Sequence, residues 1–326
     1  MKITDYIILA SSKITMKIDL FFGTNRFYYL FNAVMIKLNV YKILVNVLLK
    51  LGGTPIVTAN MRDNTKLLVD LRSNTEYRAF FTGEYDSDLT EILCSLIKPD
   101  DYFLDIGANI GFYSVSVGEK IRTTGGSGKV IAFEPFAGNF KRLIDNLNIN
   151  NLKNYCSPNK IGLSNENIDR LLVLREDFLS GSNTGNASIS INERIDLGFE
   201  KVSIKLERLD DFWIKSSSFP RSISLIKMDI EGHEGLCLEG GWKTIREHRP
   251  TILMEVNKPY YYAQGIELDE LFLPLIPERY SIYLKDKGSW RRIYKLEDCR
   301  TIGNIFIIPD EKIGLDDYKI FNQAKK

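Results

Sequence analysis

Two acidic residues each end a predicted buried strand, and a glycine turn follows the first of them. Asp105 opens the segment Asp-Ile-Gly-Ala-Asn-Ile-Gly, in which Gly107 and Gly111 let the backbone turn, approach a ligand closely and enter a helix. A carboxylate two positions before the first glycine disfavours a pyrophosphate and suits the ammonium group of an amino acid. Glu134, which Pro135 follows, is placed to accept hydrogen bonds from ribose hydroxyls. The two acids together indicate S-adenosyl-L-methionine as the cofactor.

A second group of titratable residues lies at the end of the predicted strand 224–230. Asp229, Glu231 and His233 lie close together in the sequence, and Gly232 allows a tight turn among them. Transfer of a methyl group to a hydroxyl needs an acceptor oxygen in line with the donor and a group that takes the hydroxyl proton. We therefore predict that Asp229, Glu231 and His233 are the catalytic candidates.

Simpler roles compete with this prediction. Asp229 could cap the helix that follows it, and His233 could be an ordinary surface residue. Asp229, Glu231 and Glu255 are hard oxygen ligands that would suit Mg²⁺ if their side chains converge. The chain has only two histidines, which excludes a histidine-rich metal site, and we predict a site without metal.

Alternating strand and helix patterns must position these residues. A sheet with helices between successive strands is expected to be doubly wound and mostly parallel, with right-handed crossovers. Residues 155–163 predict a further, irregular strand, interrupted by Pro158. The main predicted strands cover 102–106, 129–133, 224–230 and 250–256, the helices between them begin near 110, 137 and 234, and a helix at 267–275 and strands near 280–285 and 303–308 close the domain.

The remaining segments are accessory. Residues 1–60 are apolar, basic and aromatic and predict an N-terminal helical cap, with the catalytic domain at 61–326. Residues 54–71 predict a β-hairpin. The Gly/Ser/Asn-rich loop 180–190 is either disordered or a functional lid.

Composition excludes several classes of protein. The 326 residues have 44% hydrophobic and 26% charged side chains and a formal net charge of +1, which gives no electrostatic footprint for nucleic acid. Four widely spaced cysteines predict reduced thiols in a cytoplasmic protein. No apolar run approaches the ~20 residues of a membrane-spanning helix. Peripheral membrane contact through the N-terminal region stays open.

The motifs together resemble the FkbM-type S-adenosylmethionine-dependent methyltransferases, over about residues 66–286. The resemblance rests on several motifs in the same order, each of which is weak alone. They are Phe103–Ser114, Val130–Pro135, Leu143–Asn150, Ile161–Ser164, the loop at 183–188, Leu209–Phe212, Leu225–Glu234, Arg249–Glu255 and the segment Phe81–Tyr85.

The resemblance implies a class I methyltransferase (Rossmann-like) fold with a seven-stranded sheet whose last strand is antiparallel. It implies that the turn from Asp105 to Gly111, including Ala108 and Asn109, and the pair Glu134–Pro135 bind the methyl donor. Ser164 would lie near the adenine, and Glu84 and Tyr85 would belong to a loop before the core that covers the cofactor. The implied reaction is O-methylation, commonly of a sugar or polyketide-type hydroxyl.

We therefore expect an O-methyltransferase that acts on a sugar, glycan or glycosylated metabolite. A nicotinamide-dependent oxidoreductase is the alternative enzyme, although the glycine turn lacks the G-x-G-x-x-G pattern. A non-catalytic binding or membrane-surface protein that uses the N-terminal region is the other alternative. Acceptor specificity is assigned to loops 180–200 and 257–266, and the sequence leaves the oligomeric state open.

Overall fold

The computed structural model describes residues 47, 50, 55–174, 187–189, 199–215, 222–286, 288–299 and 301–322. The chain divides into two compact units. The first comprises residues 1–87 and 176–185, and the second comprises residues 88–175 and 186–326. Among the residues described, no helix is both long enough and apolar enough to cross a bilayer.

The described part of the first unit is a hairpin followed by a helix. Strands β1 (Ile56–Asn60) and β2 (Lys66–Asp70) pair antiparallel, which confirms the predicted hairpin. Helix α1 (Asn74–Thr82) begins at the N-cap Ser73 and ends at Gly83, which adopts the left-handed conformation with φ +70°.

The predicted N-terminal helical cap falls mostly outside the described residues. Positions 47 and 50 are helical, whereas residues 56–60 form β1. The predicted boundary at residue 60 lies at the end of β1 and stays a prediction.

The second unit is built on one large sheet. Its strands are β3 (Tyr102–Ile106), β4 (Lys129–Phe133), β5 (Cys156–Asn159), β10 (Ile223–Met228), β11 (Thr251–Asn257), β12 (Tyr280–Asp286), β13 (Ser289–Ile293) and β14 (Ile302–Pro309). The spatial order is β13-β12-β14-β11-β10-β3-β4-β5, with β11, β10, β3, β4 and β5 mutually parallel and β14 antiparallel to β11. The predicted doubly wound, mostly parallel α/β sheet is confirmed.

The prediction of seven strands is wrong, because the described residues form eight strands in this sheet. The additional edge strand, β13, pairs with β12 as a hairpin whose turn contains Gly288 at φ +84°. Trp290 and Ile293 bury their side chains on either side of the exposed Arg291 and Arg292. This burial holds the strand on the sheet.

A second, four-stranded sheet explains why residues 155–163 look irregular. The segment splits between two sheets, since β5 joins the large sheet and β6 (Gly162–Leu163) joins the small one. Pro158 lies in β5, the edge strand, where a missing N–H is tolerated. The small sheet has the order β6-β9-β7-β8 and also contains β7 (Ile168–Leu174), β8 (Ala187–Ile189) and β9 (Glu200–Glu207). Strand β8 lies within the predicted loop 180–190, whose other residues are outside the described part.

Helices cover both faces of the large sheet, and alternate side chains of β3 point to one face or the other. The helices of this unit are α2 (Ser87–Leu96), α3 (Phe112–Thr123), α4 (Ala137–Ile149), α5 (Leu209–Lys215), α6 (Glu234–Gly240), α7 (Trp242–His248), α8 (Lys258–Tyr262), α9 (Leu268–Phe272) and α10 (Lys319–Asn322). Leu104 and Ile106 belong to a buried cluster with side chains of α5 to α9. Asp105 points to the opposite face, where it meets Ser114 of α3.

Candidate active site

The register of the parallel strands brings four strand ends to one edge of the large sheet. Ile106 of β3 pairs with Phe133 of β4 and with Met228 of β10, and Met228 pairs with Met254 of β11. Ligands of open α/β sheets collect at this carboxyl edge. The residues that follow these four strand positions are Gly107, Glu134, Asp229 and Glu255.

The glycine turn contacts the ends of both neighbouring strands, β4 and β10. The backbone N–H groups of Gly107 and Ala108 donate to the carbonyl oxygen of Phe133, over 3.0 and 2.9 Å. A Cβ on Gly107 would lie 2.0 Å from the carbonyl oxygen of Asp229, and its φ is +77°. Position 107 needs glycine because the backbone of Asp229 occupies the space that a Cβ would fill. The sequence suggested instead that a ligand would approach the backbone there. Gly111, at φ +96°, lets α3 begin against Leu143 of α4.

Two acceptor oxygens of this turn fit the ammonium group that the sequence predicts. Asp105 is fully buried, and its Oδ2 accepts the hydroxyl of Ser114 at 2.6 Å. Its Oδ1, like the Oδ1 of Asn109, is buried and has no hydrogen-bond partner among the described residues. Because a buried acceptor without a donor is costly, both oxygens suit a ligand that brings N–H groups.

Glu134 keeps acceptor capacity at the end of β4. Its two carboxylate oxygens accept the backbone N–H groups of Asn109 and Phe136, each over 2.9 Å. A carboxylate offers about four lone-pair sites, so this side chain can accept further donors such as two ribose hydroxyls. Burial raises the pKa of Glu134 to about 7, against the opposing effect of the two backbone donors.

Lys227 contacts both the glycine turn after β3 and the acidic end of β10. It lies opposite Asp105 in the register, is buried, and donates from Nζ to the carbonyl oxygen of Gly107 over 3.0 Å. The same ammonium lies 3.9 Å from Asp105 Oδ1, 3.5 Å from Asp229 Oδ2 and 5.3 Å from the centre of the Tyr113 ring. Burial lowers the pKa of Lys227, but Asp229 and Asp105 outweigh it, and the net pKa is raised. Lys227 is therefore a cation at neutral pH.

Three carboxylates converge beside this lysine. Asp229, Glu231 and Glu255 each place an oxygen within 4.8 Å of the others, and none of the three residues is fully buried. Burial, and then the charges of Asp229 and Glu231, raise the pKa of Glu255 to about 8. The cluster can therefore accept a proton or hydrogen bonds from hydroxyl groups, and its oxygens also have the chemistry that a Mg²⁺ site needs.

The loop that carries Glu231 is held in an unusual conformation. Glu231 has φ +55° and Gly232 has φ +95°. Oε1 of Glu234 accepts the backbone N–H groups of Ile230 and Gly232, and its Oε2 accepts the buried Tyr261 hydroxyl at 2.5 Å. Glu234 thus ties the loop to α8 and presents Glu231 at the sheet edge.

His233 and Ser164 meet on another side of this loop. The His233 Nε2 atom lies 2.9 Å from the Ser164 hydroxyl oxygen. Burial, and then the charge of Arg170, lower the pKa of His233 to about 4. The predicted roles of these residues, His233 in catalysis and Ser164 in cofactor binding, therefore concern two groups in direct contact.

Three other predicted cofactor residues have different surroundings. Pro135 follows Glu134 and packs beside Gly162, where a Cβ would meet its ring at 3.6 Å. Glu84 belongs to the first unit, and its carboxylate pairs with Arg62 there. Tyr85 lies in the segment after α1. The contact of Glu84 and Tyr85 with the cofactor stays a prediction.

Sequence reasoning did not assign Lys227 or Glu255 to the predicted site. The sequence predicts Glu255 only as a possible metal ligand. A charged residue inside an otherwise apolar parallel strand is the signal for Lys227, and an acid at the same strand end as Asp229 is the signal for Glu255.

Residues 105–293 match the profile of the methyltransferase FkbM domain family. A crystal structure of methyltransferase FkbM from Methylobacillus flagellatus KT is similar at 20% identity and a TM-score of 0.41, over 65% of this chain and 45% of that chain. This chain therefore spans less than half of that protein's length.

Two further solved structures are similar at lower identity. An O-methyltransferase from Bacillus cereus in complex with SAH has 13% identity and a TM-score of 0.37, over 69% of this chain and 80% of that one. An rRNA methylase from Streptococcus thermophilus has 8% identity and a TM-score of 0.37, over 68% and 92%. No functionally curated protein matches the chain. The family match covers more than half of the sequence and confirms the resemblance: the chain belongs to the methyltransferase FkbM domain family.

Proposed function

We propose that this protein transfers the methyl group of S-adenosyl-L-methionine to a hydroxyl group of a sugar, glycan or glycosylated metabolite. One observation carries the proposal: adjacent strand ends bring the glycine turn and Glu134 to the same sheet edge as the three converging carboxylates. The first set suits the methyl donor, and the second suits a hydroxyl acceptor.

The donor side has hydrogen-bond acceptors for two polar parts of the cofactor, its ammonium group and its ribose. Asp105 Oδ1 and Asn109 Oδ1 would take the ammonium group, and Glu134 would take the ribose hydroxyls. When bound, S-adenosyl-L-methionine supplies a methyl group on a positively charged sulfur. The residues of this chain hold the two reactants in line, which is the larger part of the rate enhancement in such a transfer.

The acceptor side supplies proton acceptors and an aromatic surface. Asp229 and Glu231 would orient the acceptor hydroxyl and take its proton as the new bond forms. Tyr260 packs against Gly232, where a Cβ would lie 1.8 Å from its ring. A sugar offers apolar C–H faces to an aromatic ring and hydroxyl edges to carboxylates, so this combination favours a saccharide acceptor.

Methyl transfer can be tested with S-adenosylmethionine that carries a deuterated methyl group. The purified protein would be incubated with a panel of monosaccharides, oligosaccharides and glycosylated metabolites, and the products analysed by mass spectrometry. We expect the label on a hydroxyl oxygen, and loss of the product in Asp229→Asn. Label found only on nitrogen or carbon would contradict the proposal.

We further propose that the enzyme works in the cytoplasm on a small-molecule or glycan acceptor, with residues 1–60 as an accessory region. A deletion of residues 1–50 tests the second part. If donor binding and methyl transfer survive while liposome binding is lost, the region is a membrane-contact module. Loss of donor binding would contradict an accessory role.

A further inference from the structure

Two consecutive residues of the loop between β10 and α6 have left-handed backbone conformations. Glu231 has φ +55° and Gly232 has φ +95°. Glycine adopts such angles freely, whereas the Cβ of Glu231 makes its angle unfavourable. A strained conformation of this kind persists only where the surrounding structure enforces it. The contacts of the loop therefore identify what holds Glu231 in place.

The carboxylate of Glu234 bonds to the loop on both sides of Glu231. Its Oε1 accepts the backbone N–H groups of Ile230 at 3.0 Å and of Gly232 at 3.3 Å, which are the residues before and after Glu231. Glu234 is 1% exposed, so water competes little for these bonds. The two bonds bracket Glu231 and draw its neighbours toward one oxygen.

Helix α8 supports this arrangement from the other side. Oε2 of Glu234 accepts the hydroxyl of the buried Tyr261 at 2.5 Å, and the Tyr261 ring lies 5.3 Å from that of Phe272. The neighbouring Tyr260 closes on Gly232, where a Cβ would lie 1.8 Å from its ring. Helix α8 therefore contacts the loop through a hydrogen bond and through an aromatic ring.

The start of α8 is anchored in turn. Oδ1 of Asn257 accepts the backbone N–H of Tyr260 at 3.2 Å. Nζ of Lys258 donates to the carbonyl oxygen of Glu297 over 2.8 Å and lies 3.0 Å from its carboxylate. Asn257 ends β11, two residues after Glu255. The strand that carries Glu255 thus continues directly into the helix that supports the loop of Glu231.

We propose that Glu234 and Tyr261 are positioning residues, which hold Glu231 in its left-handed conformation and so keep its carboxylate beside those of Asp229 and Glu255. With a φ of the ordinary negative sign, the Cβ of Glu231 would point in another direction and its carboxylate would leave the cluster. The inference rests on the proposed function, in which Glu231 orients the acceptor hydroxyl and takes its proton. Glu234 acts only through Glu231, because the loop and Tyr261 occupy both of its own oxygens.

A double-mutant cycle, measured by urea denaturation, tests the hold on Glu231 without any ligand. Glu231→Gly should raise the ratio of folded to unfolded protein about fivefold more in the wild type than in Glu234→Ala, where the loop is free to relax. Asn151→Gly is the control, because Asn151 has φ +59° in the turn after α4. Its effect should be the same in both backgrounds.

Methyl transfer and cofactor binding should separate in the Glu234 variants. We expect Glu234→Ala to lower the transfer of deuterated methyl groups to the saccharide panel at least about tenfold, while S-adenosylhomocysteine binds within about twofold of the wild type. Glu234→Gln keeps an oxygen for the two loop N–H groups and gains an amide that can donate to the Tyr261 hydroxyl oxygen. It should therefore recover most of the transfer. A residue needed only for folding would lower both quantities together.

A tyrosine pair provides a matched comparison. Tyr261→Phe removes one donor to Glu234 and should lower methyl transfer about three- to tenfold. The hydroxyl of Tyr318, which is also buried, lies 2.7 Å from Thr251 Oγ1 at the opposite end of β11. Tyr318→Phe should cost similar stability and leave methyl transfer unchanged. The strain cycle can also be run in Tyr261→Phe, in case Glu234→Ala does not fold.

The outcomes distinguish this inference from the proposed function. Equal effects of Glu231→Gly in the wild type and in Glu234→Ala would overturn the inference, as would full methyl transfer in folded Glu234→Ala. Equal loss of transfer in Glu234→Gln and Glu234→Ala would also overturn it, because the acceptor oxygen would then be irrelevant. A folded wild type that transfers no methyl group to the panel would contradict the proposed function, and the strain cycle would still decide whether Glu234 holds the loop.

Discussion

The ammonium nitrogen of Lys227 donates a hydrogen bond to the carbonyl oxygen of Gly107 over 3.0 Å. This bond joins the end of β10 to the turn that follows the neighbouring strand β3. The same nitrogen lies between Asp105 and Asp229. A buried cation with this set of partners fixes the turn from Asp105 to Gly111 and the carboxylate of Asp229 relative to each other. It also balances part of the negative charge that the site collects.

Removing this cation should destabilise the fold. Lys227→Met would leave Asp105 buried without a counter-charge, and we expect a loss of about 2–4 kcal/mol in the free energy of unfolding, measured by urea denaturation. Adding Asp105→Asn should recover part of the loss, because the uncompensated charge is then gone. The exposed Lys243→Met is the control and should change stability little. A Lys227→Met protein as stable as the wild type would show that the pair is not coupled.

The close approach of the glycine turn to β10 can be measured with a pair of alanine variants. Gly107 and Gly125 have similar φ angles of +77° and +73°, but a Cβ meets the Asp229 carbonyl at the first and open space at the second. Gly125→Ala should cost about 1 kcal/mol for its backbone conformation alone.

Gly107→Ala should cost more than Gly125→Ala and should also abolish binding of S-adenosylhomocysteine, because the turn must move away from Asp229. Thermal unfolding and calorimetry check the two effects. Equal costs at the two positions would contradict the steric argument.

Glu134 should make cofactor binding depend on pH. If the ionised carboxylate accepts the ribose hydroxyls, a pKa of about 7 leaves it mostly protonated at pH 6 and mostly ionised at pH 8. The dissociation constant for S-adenosylhomocysteine should therefore fall about tenfold over this range, since affinity follows the binding-competent fraction. Glu134→Gln should bind weakly at both values. A wild-type affinity that does not change with pH would contradict this role.

The same residue should affect stability in the opposite direction. Its pKa is raised in the folded protein, so its contribution to stability is fully present below the ordinary pKa of glutamate and is lost as the pH rises through about 7. Glu134→Gln should remove this pH dependence, so its stability, measured by denaturation without ligand, should fall less between pH 6 and pH 8 than that of the wild type. An equal fall in both proteins would show that burying the charge costs little.

Much of this arrangement follows from sequence because parallel strands end at one edge. Asp105, Glu134 and Asp229 each end an apolar run, so their common location could be predicted, and the turn glycines identified the strand from which the site starts. The resemblance to the FkbM family predicted the class I methyltransferase fold, and the family match confirmed the resemblance. Strand β13 was missed because it depends on pairing with β12 rather than on its own pattern.

The contacts that shape the site could not be predicted, because they join distant positions. The bond of Tyr261 to Glu234, the contact of His233 with Ser164 and the reach of Lys227 to Gly107 appear only when the chain is folded. Hydrophobic periodicity assigns elements and faces, but it does not report which polar atoms meet.

Strain at Glu231 offers a test of its functional role. Its φ of +55° is unfavourable for a residue with a Cβ and costs of order 1 kcal/mol or more. Glu231→Gly should therefore be at least as stable as the wild type and bind S-adenosylhomocysteine normally, while methyl transfer falls sharply. Chemical denaturation, calorimetry and the deuterated-methyl assay report the three quantities. Full methyl transfer in this variant would remove Glu231 from the proposed mechanism.

The central claim is that the turn at Asp105–Gly111 and Glu134 bind S-adenosylmethionine. Calorimetric titration of the folded protein with S-adenosylhomocysteine, with NAD and NADP titrated in parallel, tests it most directly. We predict saturable binding of one S-adenosylhomocysteine per chain and no binding of either dinucleotide. Binding of a dinucleotide without affinity for S-adenosylhomocysteine would contradict the account.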